Sequence, residues 1–175
     1  MKRIIFIIGG VRSGKSAFAI KLAKDFRGPV AFVATCMPKD KEMHQRIKAH
    51  KNSRPAAWKT IVEEKDIFSA LKETSKYPVV IIDCLTLLVS NLLLSSKGEK
   101  TILADIKKFL YAACNMKKTF IIVSNEVGCG IVPENALARR FRDIHGQVNK
   151  IVAEYSDDVY LMIAGIPANI KKVKR

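Results

Sequence analysis

Cysteine is scarce in this chain: Cys36, Cys84, Cys114 and Cys129 are the only four in 175 residues, with no C-x-x-C pair and no zinc spacing. That speaks against a disulfide-stapled secreted scaffold and against a zinc module, and predicts reduced thiols in a cytoplasmic protein. No apolar run approaches the roughly 20 residues of a membrane span, and residues 3–8 already read as a strand, leaving no room for a signal peptide. Repeats, low-complexity tracts and an interdomain linker are missing too, so one domain over residues 1–175 is expected, long enough for a proper core. Acidic residues are few, 16 against 31 basic ones, for a net charge of +15. Such an excess suits nucleic acid, an anionic membrane surface or phosphorylated small molecules. The basic residues are nevertheless spread along the chain, apart from the tail Lys171-Lys172-Val173-Lys174-Arg175. No aromatic-rich basic stripe offers bases a stacking platform, and nucleic acid is not an expected partner.

What is present begins with Gly9-Gly10-Val11-Arg12-Ser13-Gly14-Lys15-Ser16, directly after the apolar run Ile4-Ile5-Phe6-Ile7-Ile8. It fits G-x-x-x-x-G-K-[ST], the phosphate-binding P-loop. Glycines let the backbone wrap tightly enough to aim successive N–H groups at phosphate oxygens. The helix that follows adds its free N–H groups and its positive dipole end. Lys15 is placed to reach the β- and γ-phosphates, and the Ser16 hydroxyl to ligate Mg²⁺. A Gly-rich strand-to-helix turn with a chance Lys-Ser is the bland alternative. The strand before the motif and the helix-like residues 16–23 after it favour a triphosphate site.

Along the chain, strands are expected at 3–8, 30–34, 58–62, 79–83, 119–123 and 159–164, the last closing the sheet. Helices are expected at about 15–26, 40–51, 66–74, 85–94, 101–116 and 134–156. The last carries Leu137, Phe141, Ile144, Val148, Ile151 and Tyr155 on one face. Near-continuous apolar strands alternating with helices predict an α/β fold, a P-loop NTPase-type mostly parallel sheet with helices on both faces. In such sheets ligands sit beyond the carboxyl ends of the strands, which gathers the P-loop, Thr35-Cys36, Asp83 and Ser124-Asn125-Glu126 into one crevice. Asp83 follows four apolar β-branched residues, the Walker B arrangement, and its carboxylate would hold Mg²⁺ opposite Ser16. Helix capping is its plainer role. Asn125 and Glu126 read equally well as active-site residues before a glycine-containing loop and as ordinary turn residues.

One helix invites a second chemistry. In Met43-His44-Gln45-Arg46-Ile47-Lys48-Ala49-His50-Lys51, His50 shares a face with Met43 and Ile47 and is surrounded by Arg46, Lys48, Lys51 and Arg54. Nearby positive charge disfavours the imidazolium, leaving a neutral ring able to attack an α-phosphorus and release pyrophosphate. From the residues alone a half-buried structural histidine on a basic helix is the stronger reading, since a lone histidine is weak evidence. Spacing assigns no function to His44 or His145.

Seven blocks in order then change the weighting. They are the P-loop; Arg46-Ile47-Lys48-Ala49-His50-Lys51-Asn52-Ser53-Arg54-Pro55 with Trp58; Asp83-Cys84-Leu85-Thr86 with Asn91-Leu92-Leu93; the block running from Asn125 to Asn135; Ala138-Arg139-Arg140-Phe141-Arg142-Asp143; Gly146-Gln147-Val148-Asn149; and Gly165-Ile166-Pro167. With them the chain resembles the bifunctional adenosylcobinamide kinase/adenosylcobinamide-phosphate guanylyltransferases of cobalamin biosynthesis. The resemblance implies phosphorylation of the aminopropanol hydroxyl of adenosylcobinamide by ATP or GTP. It further implies transfer of GMP from GTP onto adenosylcobinamide phosphate, giving adenosylcobinamide-GDP and pyrophosphate. The GMP passes through a histidine that falls on His50, which makes His50 and Lys15 the catalytic candidates. Nucleotide contacts are expected from Gly9, Gly10, Val11, Arg12, Ser13, Gly14, Lys15, Ser16, Thr35, Lys51, Arg54, Asp83, Asn125 and Glu126. Ser16 and Asp83 are the metal ligands, and the resemblance also implies a homo-oligomer, a trimer included.

One departure stands out: the family usually reads W-x-T-x-E after the Arg-Pro, whereas here Val62 holds the Glu position and Glu63 comes one residue late. Either the register slips or a contact is weakened. A single-activity P-loop kinase acting on another hydroxyl is the enzymatic alternative. A nucleic-acid-stimulated ATPase, suggested by the charge alone, is the other.

Overall fold

The structure, a computed structural model, describes residues 2–36, 45, 51 and 54–172. The strands are β1 (Arg3–Gly9), β2 (Val30–Ala34), β3 (Lys59–Val62), β4 (Val79–Asp83), β5 (Thr119–Asn125), β6 (Asp158–Ile163) and β7 (Ile166–Lys172). The helices named here are α1 (Lys15–Asp25), α2 (Ile67–Glu73), α3 (Leu85–Leu94), α4 (Glu99–Asn115) and α5 (Ala136–Tyr155). All seven strands form one sheet in the order β3-β2-β4-β5-β1-β6-β7. Every neighbouring pair is parallel except β6 and β7.

The apolar runs become strands because both faces of the sheet are covered, so residues of either parity need to be hydrophobic. In β1, Ile4, Phe6 and Ile8 pack on one side while Ile5 and Ile7 pack on the other. The two sides are unequal. α2, α3, α4 and α5 lie on the side of Ile4 and Phe6, through residues such as Leu71, Leu88, Phe109 and Val148. Among the described residues α1 is the one helix on the opposite side, with Ala19 and Ala23 against Ile7, Ile81 and Val123, and Trp58 packs there too. Phe109 of α4 meets Phe120 of β5 edge to face at 6.3 Å, a favoured geometry for an aromatic pair.

This asymmetry locates the crevice. The chain leaves β1 into α1 on one face and leaves β5 into α5 on the other, and β1 and β5 are adjacent. Helices that depart on opposite faces from neighbouring parallel strands open a cleft between the strand ends, the switch point where ligands bind in α/β sheets. Here Gly9 stands beside Asn125.

Two expectations need correction or restriction. The sheet does not end at β6, because the chain turns through Ala164 (φ 48) and Gly165 (φ 84) and returns as β7. Positive φ at both central residues makes this a type I′ hairpin, whose twist matches that of its strands. Lys171 and Lys172, expected in a basic tail, are the last residues of β7. The helix expected over 40–51 lies outside the described residues, apart from Gln45 and Lys51, and so does His50. Among the described residues no helix is long and apolar enough to cross a membrane.

Candidate functional site

The glycine loop joins β1 to α1 under tight steric control. A Cβ on Gly9 would fall 2.4 Å from the carbonyl oxygen of Met162 in β6, so no side chain fits there. Gly14, at φ 90, is the residue before α1 and takes the left-handed conformation that glycine adopts without strain. The loop closes on itself: the amide of Ser13 donates to the Gly10 carbonyl at 3.3 Å, and the Lys15 ammonium donates to the same oxygen at 2.5 Å. The β6–β7 turn braces it from outside, the Gly165 amide donating to the Ser13 carbonyl at 3.1 Å. Lys15 is buried, which lowers its pKa; Cys84 and Asp83 oppose that shift. Gly10, Val11 and Arg12 are exposed, Val11 at 83 %, and Ser16 is half-buried in the first turn of α1.

Asp83 ends β4 and is half-buried. Its charge acts on both Lys15 and Arg54, so one carboxylate serves two cations that approach from different elements. The guanidinium of Arg54 lies over the Phe32 ring, 3.7 Å from its centre, a cation–π contact that fixes its direction. Arg54 also lines a cavity of about 360 Å³ with Lys51, Pro55, Ala56, Trp58 and Thr60. A second cavity, about 410 Å³, lies between α2, α3 and α4 and includes none of the expected site residues.

Thr35 reaches the crevice floor, but its hydroxyl is already engaged. It donates to the Cys84 carbonyl at 2.6 Å and accepts from the Cys84 amide at 2.9 Å, with the residue fully buried. The geometry gives Thr35 the task of holding the peptide after Asp83. Asn91 continues the tie, donating to the carbonyls of Thr35 (3.0 Å) and Glu64 (3.2 Å). Burial pushes the Cys84 thiol up to about 11, so it stays protonated and unreactive at neutral pH.

At the end of β5, the Glu126 amide donates to the Gly9 carbonyl at 2.9 Å, joining this turn to the P-loop. The Glu126 carboxylate accepts from the Gly128 amide at 2.6 Å. Two arginines of α5 hold the following loop by its carbonyls: Arg142 donates to Gly128 at 2.8 Å, and Arg139 donates to Pro133 at 3.0 Å. At the crest of that loop Ile131 is 97 % exposed. Val62 ends β3 in register with Ala34, and the Glu63 carboxylate caps the next turn by accepting from the Lys65 and Asp66 amides at 2.9 Å. Glu63 serves the turn.

Sequence reasoning missed Thr86, His145 and Asn149, which surround Asn125 from behind. The signal in the sequence is weak: His145 and Asn149 stand one helical turn apart beside the apolar stripe of α5, a spacing that exposed polar pairs share.

A parallel sheet whose first strand runs into this glycine loop, with Lys15 folded against it and an aspartate on the Walker B strand, defines a P-loop nucleotide-binding protein. The structure resembles a KaiC-like protein of Pyrococcus horikoshii with a TM-score of 0.53 and 14 % identity, covering 91 % of this chain and 72 % of that one, a likeness of fold. The family profile described as CobU, cobinamide kinase / cobinamide phosphate guanyltransferase, matches residues 5–170. A bifunctional adenosylcobalamin biosynthesis protein CobU of Salmonella typhimurium is 38 % identical over 96 % of this chain and 99 % of its own. A bifunctional adenosylcobalamin biosynthesis protein CobP of Pseudomonas aeruginosa is 36 % identical over 94 % of this chain and 95 % of its own. The chain belongs to the cobinamide kinase / cobinamide phosphate guanyltransferase family.

Proposed function

We propose that this protein phosphorylates adenosylcobinamide with ATP or GTP and then transfers GMP from GTP to the product. The observation that carries the reading is one crevice in which Lys15, Asp83 and Arg54 are electrostatically linked at the β1/β5 switch point. In the first reaction the P-loop amides and Lys15 hold the triphosphate. The substrate hydroxyl oxygen attacks the γ-phosphorus, the bond to the β-phosphate oxygen breaks, and the nucleoside diphosphate leaves. In the second, the His50 imidazole attacks the α-phosphorus of GTP and pyrophosphate leaves. A phosphate oxygen of adenosylcobinamide phosphate then displaces the imidazole from that phosphorus. Lys51 and Arg54 border the cavity next to His50 in sequence and supply positive charge for the transferred phosphate.

Asp83 and Ser16 offer the two hard oxygen donors that a Mg²⁺ carried by a triphosphate takes from protein. Bound there, the ion would neutralise developing phosphate charge. In this reading Asn125 and Glu126 contact the nucleotide, and the protein works as a homo-oligomer in the cytoplasm. Turnover of adenosylcobinamide with ATP and GTP, followed by product chromatography and pyrophosphate release, tests the reading. Both the phosphate and the GDP adduct are expected; absence of either overturns the bifunctional assignment.

A narrower reading, a kinase with weakened guanylyl transfer, draws on one observation. Val62 is 57 % exposed at the position where the family usually carries Glu, and Glu63 is committed to its turn. Val62→Glu raising the transfer rate while leaving the kinase unchanged would support it; an unchanged transfer rate would set it aside.

A further inference from the structure

Parallel β-strands direct the backbone groups of successive residues toward alternate neighbours. Glu126 donates to Gly9, so the N–H and C=O of Asn125 face the opposite side, toward β4. The pairing of β4 with β5 ends at Asp83 beside Val123, two residues short of Asn125. Side chains from distant elements take over. The Asn125 amide donates to the Thr86 hydroxyl of α3 at 2.8 Å. The Asn125 carbonyl accepts from Asn149 of α5 at 3.1 Å and lies 3.0 Å from Nε2 of His145, one turn earlier on the same helix. Ser124 donates to the Asn149 side-chain oxygen at 2.7 Å.

The tautomer of His145 follows from this arrangement. Nε2 also lies 3.2 Å from the Ser124 hydroxyl and 3.3 Å from that of Thr86. The carbonyl only accepts and the Ser124 proton already goes to Asn149, so the arrangement favours the proton on Nε2. Nδ1 is buried without a hydrogen-bond partner, and the whole residue is 0 % exposed. The ring stacks on Phe141 at 5.4 Å with 7° between planes. A second proton on Nδ1 would bury a charged, unsatisfied donor.

We propose that neutral His145 is a positioning residue for phosphate transfer: with Asn149 and Thr86 it holds the Asn125 backbone where β4 no longer does. It thereby sets how the Asn125 and Glu126 side chains stand against the triphosphate. This rests on the transferase reading above. His145 touches no substrate in that account, and the P-loop keeps its own contacts through Gly10, Ser13, Lys15 and Gly165. Its loss therefore acts mainly on kcat, because the P-loop still supplies most of the hold on the triphosphate.

The test compares His145→Leu with His145→Gln, whose amide N–H can replace the Nε2 donor. His145→Leu should lower kcat of both reactions roughly 10- to 100-fold, with the KM for triphosphate changed less than about twofold. His145→Gln should recover most of the rate. A Leu variant with wild-type kcat, or a Gln variant as impaired as Leu, overturns the proposal. Long-range ¹H–¹⁵N NMR of the wild-type protein reads the tautomer even if the Leu variant does not fold. A proton on Nε2 alone supports the proposal, and a proton on Nδ1 contradicts it. Wild-type protein inactive in both reactions would sink the functional reading, while the NMR result would still decide the state of His145.

Discussion

Two segments meet at the switch point and are held in opposite ways. The P-loop is fixed within itself: the Ser13 amide and the Lys15 ammonium both donate to the Gly10 carbonyl within six residues, and a glycine of the adjoining hairpin braces the outside. Across from it, the turn after β5 has one local side-chain bond, from the Gly128 amide to the Glu126 carboxylate. Its first residue depends on Thr86, His145 and Asn149, which are 39, 20 and 24 positions distant in sequence. One half of the crevice is a local device and the other is assembled by tertiary folding. Substitutions should therefore act differently on the two, abolishing chemistry in the first and eroding stability together with geometry in the second.

The largest expected effect is on the local half. Lys15→Ala should cut both activities by about 10²–10³-fold or more, with the melting temperature little changed. Unimpaired guanylyl transfer would mean that the two reactions use separate triphosphate sites.

The assembled half and its surroundings should respond in stability. Arg3 pairs with Asp158 at 2.5 Å across β1 and β6, and the Asp158 side chain is 2 % exposed. Arg3→Ala leaves that carboxylate with a 3.5 Å contact from Asn169 and should cost on the order of 2–4 kcal/mol, read by denaturant unfolding. Thr86→Val removes the acceptor of the Asn125 amide and should cost about 1–3 kcal/mol. A change below a few tenths would show that the turn has other support. Gly165→Ala, at φ 84, should cost about 1 kcal/mol and loosen the brace on Ser13.

The smallest effect is a pH dependence. Burial holds the His145 pKa below its usual 6.5, with the Asn125 carbonyl and the facing charge of Glu126 opposing that shift. The unfolded chain then takes up a proton that the folded one refuses, so stability falls as pH drops below about 6.5 and continues to fall until the folded ring titrates. His145→Gln should flatten that part of the melting profile, and an identical slope in wild type and variant would assign the dependence elsewhere.

The difference between the halves also explains what could be read from the chain. The P-loop, the Walker B aspartate and the core strands follow from local pattern, because spacing and periodicity carry them. Thr35 follows the end of β2 as the pattern predicts, yet its hydroxyl is spent on Cys84, a contact 49 residues away that spacing does not encode. β7 leaves no hydrophobic pattern because an exposed edge strand needs no buried face, and Pro167 is tolerated there. His145 lies beside the apolar stripe of α5, where composition alone does not separate a buried polar contact from a surface residue.

The central claim, that one P-loop presents a triphosphate to His50 as well as to the corrinoid, is tested most directly with GTP radiolabelled at the α-phosphorus. Wild-type protein with Mg²⁺ should become covalently labelled in an acid-labile, base-stable bond, and His50→Ala should not. Equal labelling of the His50→Ala protein would contradict the mechanism.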